Sequence, residues 1–286
     1  MDAPADFHVH TRWSLDVVEG PGFEDYCQTA AEVGLVVGFL DHYELLYADD
    51  PRNPLCGDAL PAYLEEVDDA RANWRGRAAF GLEVDYYPQP ERVAALREFV
   101  DDFGREFDLL VGSLHEVEDH GPVTVPGDLA RLAREFPGGF PGVVERYFEL
   151  QLDMVRSGLF GAIAHPDVVF RYCGDVVPHD PDSLGGADRT RATCLECARR
   201  GIVVEVNLGG LSKPAGRQSP PEALVVELAG EGVKFFVGSD SHSVGKFRRA
   251  APVVRRTAEV LEELGAMGDP RSDAGADGGF TGGTGG

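Results

Sequence analysis

LVVGFLDH, residues 35–42, is an apolar run without alternation that stops on an acid and a histidine. A half-exposed strand would alternate apolar and polar residues, so this stretch reads as a strand covered on both faces, the condition of a parallel sheet. Six further runs, five to nine residues long, carry histidine or carboxylate residues at or near their ends: DFHVH (6–10), AAFGLEVD (78–85), LLVGSLHE (109–116), GAIAHPD (161–167), IVVEVN (202–207) and KFFVGSDSH (234–242). Between them lie segments of helical period at 23–34, 61–76, 90–107, 128–158, 189–201, 220–232 and 253–265. Pro61, Pro90 and Pro220 stand near helix starts and Gly34, Gly158, Gly201 and Gly232 near ends, the expected start and stop signals. This alternation predicts an α/β fold, a closed or nearly closed (β/α)7 barrel. No G-x-G-x-x-G follows the first strand to suggest a dinucleotide-binding open sheet.

Closure has a chemical consequence. All strand ends open onto one rim, where barrel enzymes carry their active sites, so residues distant in sequence meet in one pocket. Two apart on a strand, His8 and His10 point the same way and can hold one ion; Asp240 and His242 repeat that spacing on the last strand, which neighbours the first. Glu83, His115, His165 and His42 each end their own strand, and Asp16 lies in the first rim loop. With no cysteine in the set, imidazole and carboxylate suit zinc, manganese or iron, and the number of ligands suffices for roughly two or three ions.

A chain of 286 residues fits one large barrel followed by a tail, since GDPRSDAGADGGFTGGTGG (268–286) has almost nothing to bury. The balance of 26 Lys+Arg against 49 Asp+Glu, net −23, disfavours nucleic acid and anionic membranes as partners. A small phosphorylated substrate stays compatible, because bound divalent cations can set the local sign of a site. The five cysteines have no framework spacing and suggest reduced thiols in a cytoplasmic protein; Cys194 and Cys197 read as helix packing. A signal segment and an 18-residue apolar run are both missing, which predicts a soluble protein. Two irregular connections, 43–60 and 168–188, are expected on the rim side.

DFHVHTRWSLD, the LDH at 40–42, GLEVDY, GSLHEV, AHPD, EVN and GSDSH resemble, in order and spacing, the motifs of the polymerase and histidinol phosphatase (PHP) superfamily. The resemblance covers nearly the whole chain. It implies a distorted (β/α)7 TIM-like barrel over residues 1–267 with the active site at the C-terminal ends of the strands. It puts one metal on His8, His10, Glu83 and Asp240, a second on Glu83, His115 and His165, and a third on Asp16, His42 and His242.

AHPDVVFRY (164–172) and the stretch from Glu205 to His242 are similar to the stand-alone histidinol-phosphatase branch. That likeness implies phosphate-gripping residues, for which Arg171, Lys213 and Arg217 are the candidates, with Arg12 beside the ligand pair as another. The implied activity is hydrolysis of L-histidinol phosphate in histidine biosynthesis, by direct attack of water, with Asp240 or His242 protonating the leaving oxygen. The rival readings are a PHP phosphoesterase for another phosphomonoester or nucleotide, a non-catalytic PHP module, and metal-dependent amide chemistry.

Overall fold

The computed structural model describes residues 3–17, 20–47, 53–55, 59–117, 120–213 and 215–271. Seven strands follow one another in a parallel sheet in sequence order: β1 (Ala5–Val9), β2 (Val36–Tyr43), β3 (Ala78–Asp85), β4 (Leu109–Ser113), β5 (Ala162–Ile163), β6 (Val203–Asn207) and β7 (Phe235–Gly238). Among the described residues eight α-helices pack outside: α1 (Phe23–Val33), α2 (Leu60–Asn73), α3 (Pro90–Phe103), α4 (Pro126–Glu135), α5 (Gly139–Ser157), α6 (Gly186–Arg200), α7 (Glu222–Gly230) and α8 (Val244–Glu263).

The two edges meet. Just past β7, Ser241 bridges Val9 in parallel, and the His10 amide donates to the Ser241 carbonyl at 3.0 Å. Lower in the seam the Asp6 carboxylate completes the join, accepting from the Ser239 amide at 2.8 Å and the His8 amide at 3.3 Å. This is the nearly closed (β/α)7 barrel expected from the alternation. Distortion enters in β1, where the register slips between Asp6 and Val9 against β2; such a bulge re-aims side chains.

Apolar residues divide between two sides of the sheet. Outward positions such as Val37, Phe39, Phe80, Leu82 and Val84 pack under the helices, while Leu40, Leu109, Val111, Ala162, Ala164 and Phe236 form a separate cluster with Phe7 and Ala79. A third cluster joins α4 and α5 to Val168, Phe170, Tyr172 and Val177. The 168–188 connection is therefore a packed substructure in its first half. The 43–60 connection is described only in part.

Three sequence expectations shift. The helical stretch 253–265 starts earlier, at Val244, because the Ser243 hydroxyl caps the Lys246 amide and Pro252 is tolerated inside α8. The 128–158 segment divides into α4 and α5 at Phe136–Gly138, where Gly138 adopts φ 80. At the expected tail, the Gly268 amide still donates to the Phe235 carbonyl at 2.7 Å, and Arg271 lies over the Phe7 ring, so the docked chain extends to Arg271. Residues 272–286, the rest of that tail, and Cys56 lie outside the described residues. No helix among the described residues is long and apolar enough to cross a membrane.

Candidate metal centre

Glu83 is the hub. Parallel register pairs it with His42 on β2 and Val111 on β4, placing its carboxylate over the lumen with 1 % of its surface exposed. One oxygen, Oε1, lies 2.8 Å from His165 Nε2 and 3.3 Å from His115 Nε2. The other, Oε2, lies 3.2 Å from His8 Nε2, 3.2 Å from His42 Nδ1 and 3.7 Å from His10 Nε2. A carboxylate whose two oxygens face two separate groups of imidazole nitrogens has the shape of a bridge between cations.

The imidazole nitrogens also face one another. His8 Nε2 is 3.0 Å from His10 Nε2, and His115 Nε2 is 3.2 Å from His165 Nε2. Two unprotonated nitrogens so aimed repel unless a cation stands between them, and the His42 Nδ1 makes no hydrogen bond with any described residue. Groups of ligand atoms within 4.8 Å of one another are His8, His10 and Glu83; Glu83, His115 and His165; His10, His42 and His242; and His42, Glu44 and His115. This donor set fits divalent metal ions of the zinc, manganese or iron kind. Asp240 Oδ1 approaches His10 Nε2 at 3.6 Å, while Asp16 lies 2.7 Å from His242 Nε2 and 3.8 Å from His42 Nε2.

Carboxylates behind the imidazoles set their orientation. Glu205 Oε1 takes His8 Nδ1 at 2.7 Å, and its Oε2 accepts from the His165 amide at 2.9 Å and Asn207 Nδ2 at 3.1 Å. Asp85 holds His115 Nδ1 at 2.7 Å and is fixed by Ser113. His10 Nδ1 meets Ser14 Oγ at 3.2 Å, itself anchored on Asp41 at 2.8 Å. Each bond on Nδ1 leaves Nε2 to face inward. Gly238 makes the first of these possible: a Cβ there would stand 1.9 Å from Glu205 Oε1 and 2.5 Å from His8 Cβ.

Electrostatics follow the same plan. Burial opposes ionisation of Glu83, but the imidazoles of His115, His8 and His42 outweigh it and hold its carboxyl well below the usual range. Burial likewise disfavours charge on His8 and His115, yet Glu205 with Glu83, and Asp85 with Glu83, raise both well above an ordinary imidazole. His10 goes the other way, pushed well down by burial and by His242 and His42. The result is a buried negative framework that attracts cations.

Above the cage opens a cavity of about 520 Å³, onto which Asp16, His42, Glu83, His115, His165, Asp240 and His242 all face. Arg171, Lys213 and Lys246 line it from the β5–β7 side, and Glu44, Tyr47 and Glu116 from the β2–β4 side. Arg171 donates to Asp240 Oδ2 at 2.8 Å, and Gly209 leaves room for that carboxylate, since a Cβ would lie 2.6 Å from Oδ2. Asp240 itself sits at φ 53, a strained setting for a residue with a side chain.

Two expected cations do not reach the cavity. Arg12 is turned outward and forms a fork with both Glu66 oxygens at 2.9 Å, and Arg217 is bonded to Asp167 and stacked on Phe170 in an adjoining recess. Lys246 was not foreseen. Its signal is spacing: four residues after His242 and within the first turn of α8, it faces the same rim, where its Nζ bonds the Asp240 carbonyl. Cys194 and Cys197 are buried in α6, away from the site.

The sequence from residue 6 to residue 209 matches the family model described as the PHP domain. The chain belongs to the PHP family. This PHP protein is 27% identical over 271 residues to the "Probable histidinol-phosphatase" of Deinococcus radiodurans, covering 94% of this chain and 95% of that one. Its fold is that of a Listeria monocytogenes protein described as a "putative histidinol phosphatase", with a TM-score of 0.77 at 20% identity over 87% of this chain and 99% of the other. The histidinol phosphate phosphatase of Lactococcus lactis, crystallised with zinc, L-histidinol and phosphate, superposes with a TM-score of 0.65 at 19% identity over 90% of this chain and 94% of that one.

Proposed function

We propose that this PHP protein is a metal-dependent phosphomonoesterase that hydrolyses L-histidinol phosphate to L-histidinol and phosphate. One observation carries the reading: a cage of buried imidazoles and carboxylates shares a single cavity with Arg171, Lys213 and Lys246. The name of the Deinococcus relative and the ligands of the Lactococcus protein support the substrate. The basic wall favours phosphate over an amide, because a phosphomonoester brings two negative charges to be matched.

His8, His10, Glu83 and Asp240 would hold one divalent ion, Glu83, His115 and His165 a second, and Asp16, His42 and His242 a third. When bound, such ions neutralise phosphoryl oxygens and make water nucleophilic near neutral pH. Arg171, anchored through Asp240, presents its remaining N–H groups to the phosphate, and Lys213 and Lys246 add point charges. Burial resists ionisation of Asp240, but Arg171 and the nearby imidazoles hold its carboxyl well below the usual range. A group kept ionised cannot donate a proton, and a nitrogen that ligates an ion carries none, so His242, 29% exposed at the rim, serves as proton donor to the leaving alkoxide through Nε2 only while the third site is empty.

The test is phosphate release from L-histidinol phosphate beside a panel of nucleoside monophosphates and simple phosphate esters, before and after chelation. Expected is a kcat/KM for L-histidinol phosphate at least tenfold above the panel, lost on chelation and restored by added zinc, manganese or iron. Preference for a nucleotide, or turnover indifferent to chelation, would refute the reading.

A further inference from the structure

The two walls of the cavity are of opposite sign, and strand order is the reason. Arg171, Lys213 and Lys246 follow β5, β6 and β7, whereas Glu44 and Glu116 follow β2 and β4 on the other side of the barrel. Glu116 is engaged by the Tyr47 hydroxyl. Glu44 differs: half-buried, its carbonyl accepts from the Tyr47 amide at 3.1 Å, but its carboxylate makes no hydrogen bond and no ion pair with any described residue.

Its neighbours explain why Glu44 is not simply one more cage ligand. A ligand atom of Glu44 lies within 4.8 Å of His42 and His115. Both His115 nitrogens are already directed elsewhere, Nδ1 to Asp85 at 2.7 Å and Nε2 to Glu83 at 3.3 Å. Both His42 nitrogens likewise face Glu83, at 3.2 Å, and Asp16, at 3.8 Å. The Glu44 carboxyl is thus left facing the cavity beside the cage, where burial disfavours its ionised form and an incoming cation would favour it.

We infer that Glu44 is a specificity residue that binds an ammonium on the substrate, selecting phosphomonoesters with an amine on the carbon next to the ester carbon. The inference rests on the phosphatase reading above. In such an ester the nitrogen is three bonds from the ester oxygen, so phosphate gripped at the cage and basic wall brings the ammonium to a carboxylate just beside the cage. A charged partner held in a built pocket discriminates strongly against an analogue that lacks the charge, because the pocket's own charge is then left unpaired.

The experiment compares L-histidinol phosphate with its deamino analogue, which keeps imidazole and phosphate, on the metal-loaded enzyme and on Glu44→Gln and Glu44→Asp. Metal content is measured for each protein. For the parent enzyme, kcat/KM is expected to favour the amine at least tenfold. In Glu44→Gln that ratio falls at least tenfold, through KM of the amine substrate and at full metal content, and Glu44→Asp recovers part of it. A ratio unmoved by Glu44→Gln overturns the inference while the phosphatase reading stands, as does a parallel loss on both substrates. Loss of metal from Glu44→Gln would make the residue a ligand and also overturns it. Hydrolysis of neither substrate by the parent enzyme would remove the phosphatase reading and this inference together.

Discussion

The same seven strands end in opposite ways. Where they enter the helical layer's far side, Phe7, Leu40, Leu109, Val111, Ala162 and Phe236 close the lumen, with the Phe7 and Phe236 rings meeting edge to face at 6.4 Å. At their C-terminal ends the lumen is filled instead by His8, His10, Glu83, His115, His165 and Glu205, all buried. Burying apolar side chains stabilises the fold, whereas gathering buried imidazoles and acids opposes it unless cations compensate. The contrast teaches that stability and chemistry have been assigned to different ends of one sheet, so substitutions at the two ends should fail differently.

The largest expected effect is at the polar end. Glu83→Ala removes the bridge between the two imidazole groups, and kcat should fall by more than the roughly hundredfold typical of losing a group behind a ligand, with metal content falling as well. Phosphate release and elemental analysis of the same preparation check both. At the apolar end, Phe236→Ala should cost about 3–5 kcal/mol of stability, seen as a lower thermal midpoint, while metal content per folded molecule is retained. Metal loss from Phe236→Ala, or full activity in Glu83→Ala, would break the division.

Intermediate effects sharpen it. Glu205→Gln keeps the shape behind His8 and His165 but replaces the carboxylate with a neutral amide, and metal affinity should drop roughly 10–100-fold with the fold intact by circular dichroism. Acid should act on the polar end first. Glu205, Glu83 and Asp85 raise His8 and His115 above an ordinary imidazole, so both hold protons to higher pH and must release them to a metal. Affinity for added zinc should therefore rise with pH and fall on acidification, with proton release detectable by calorimetry in buffers of different ionisation enthalpy. The smallest effect is expected from Arg12→Ala: a half-exposed pair with Glu66 contributes up to about 1 kcal/mol, and kcat/KM should hold.

Much of this plan is readable from residues alone, for physical reasons. Strands covered on both faces leave apolar runs, and the runs of β2 and β3 coincide with their strands to within a residue. A barrel then forces their ends together, so His42 and Glu83 can be grouped before any register is known. Other features depend on three-dimensional neighbours. The run GAIAHPD contributes only Ala162 and Ile163 to the sheet, since the chain turns at His165 to set its imidazole over Glu83. Glu205 looks like an acid within a strand, and its partner His8 is 197 residues away. Arg12 and Arg217 lie close to ligand motifs in sequence, but long guanidinium side chains go to the nearest carboxylate, here Glu66 and Asp167. Glu44 carries no motif; its interest comes from a carboxylate without a partner among the described residues, in a cavity whose other wall is basic.

Anomalous diffraction from crystals of the protein, recorded at the absorption edges of zinc, manganese and iron, tests the central claim most directly. The expected result is about two or three peaks inside the barrel mouth, each within about 2.0–2.3 Å of imidazole nitrogens or carboxylate oxygens, with Glu83 shared between two of them. No peak between His8, His10, Glu83, His115 and His165 in active, metal-supplemented protein would contradict it.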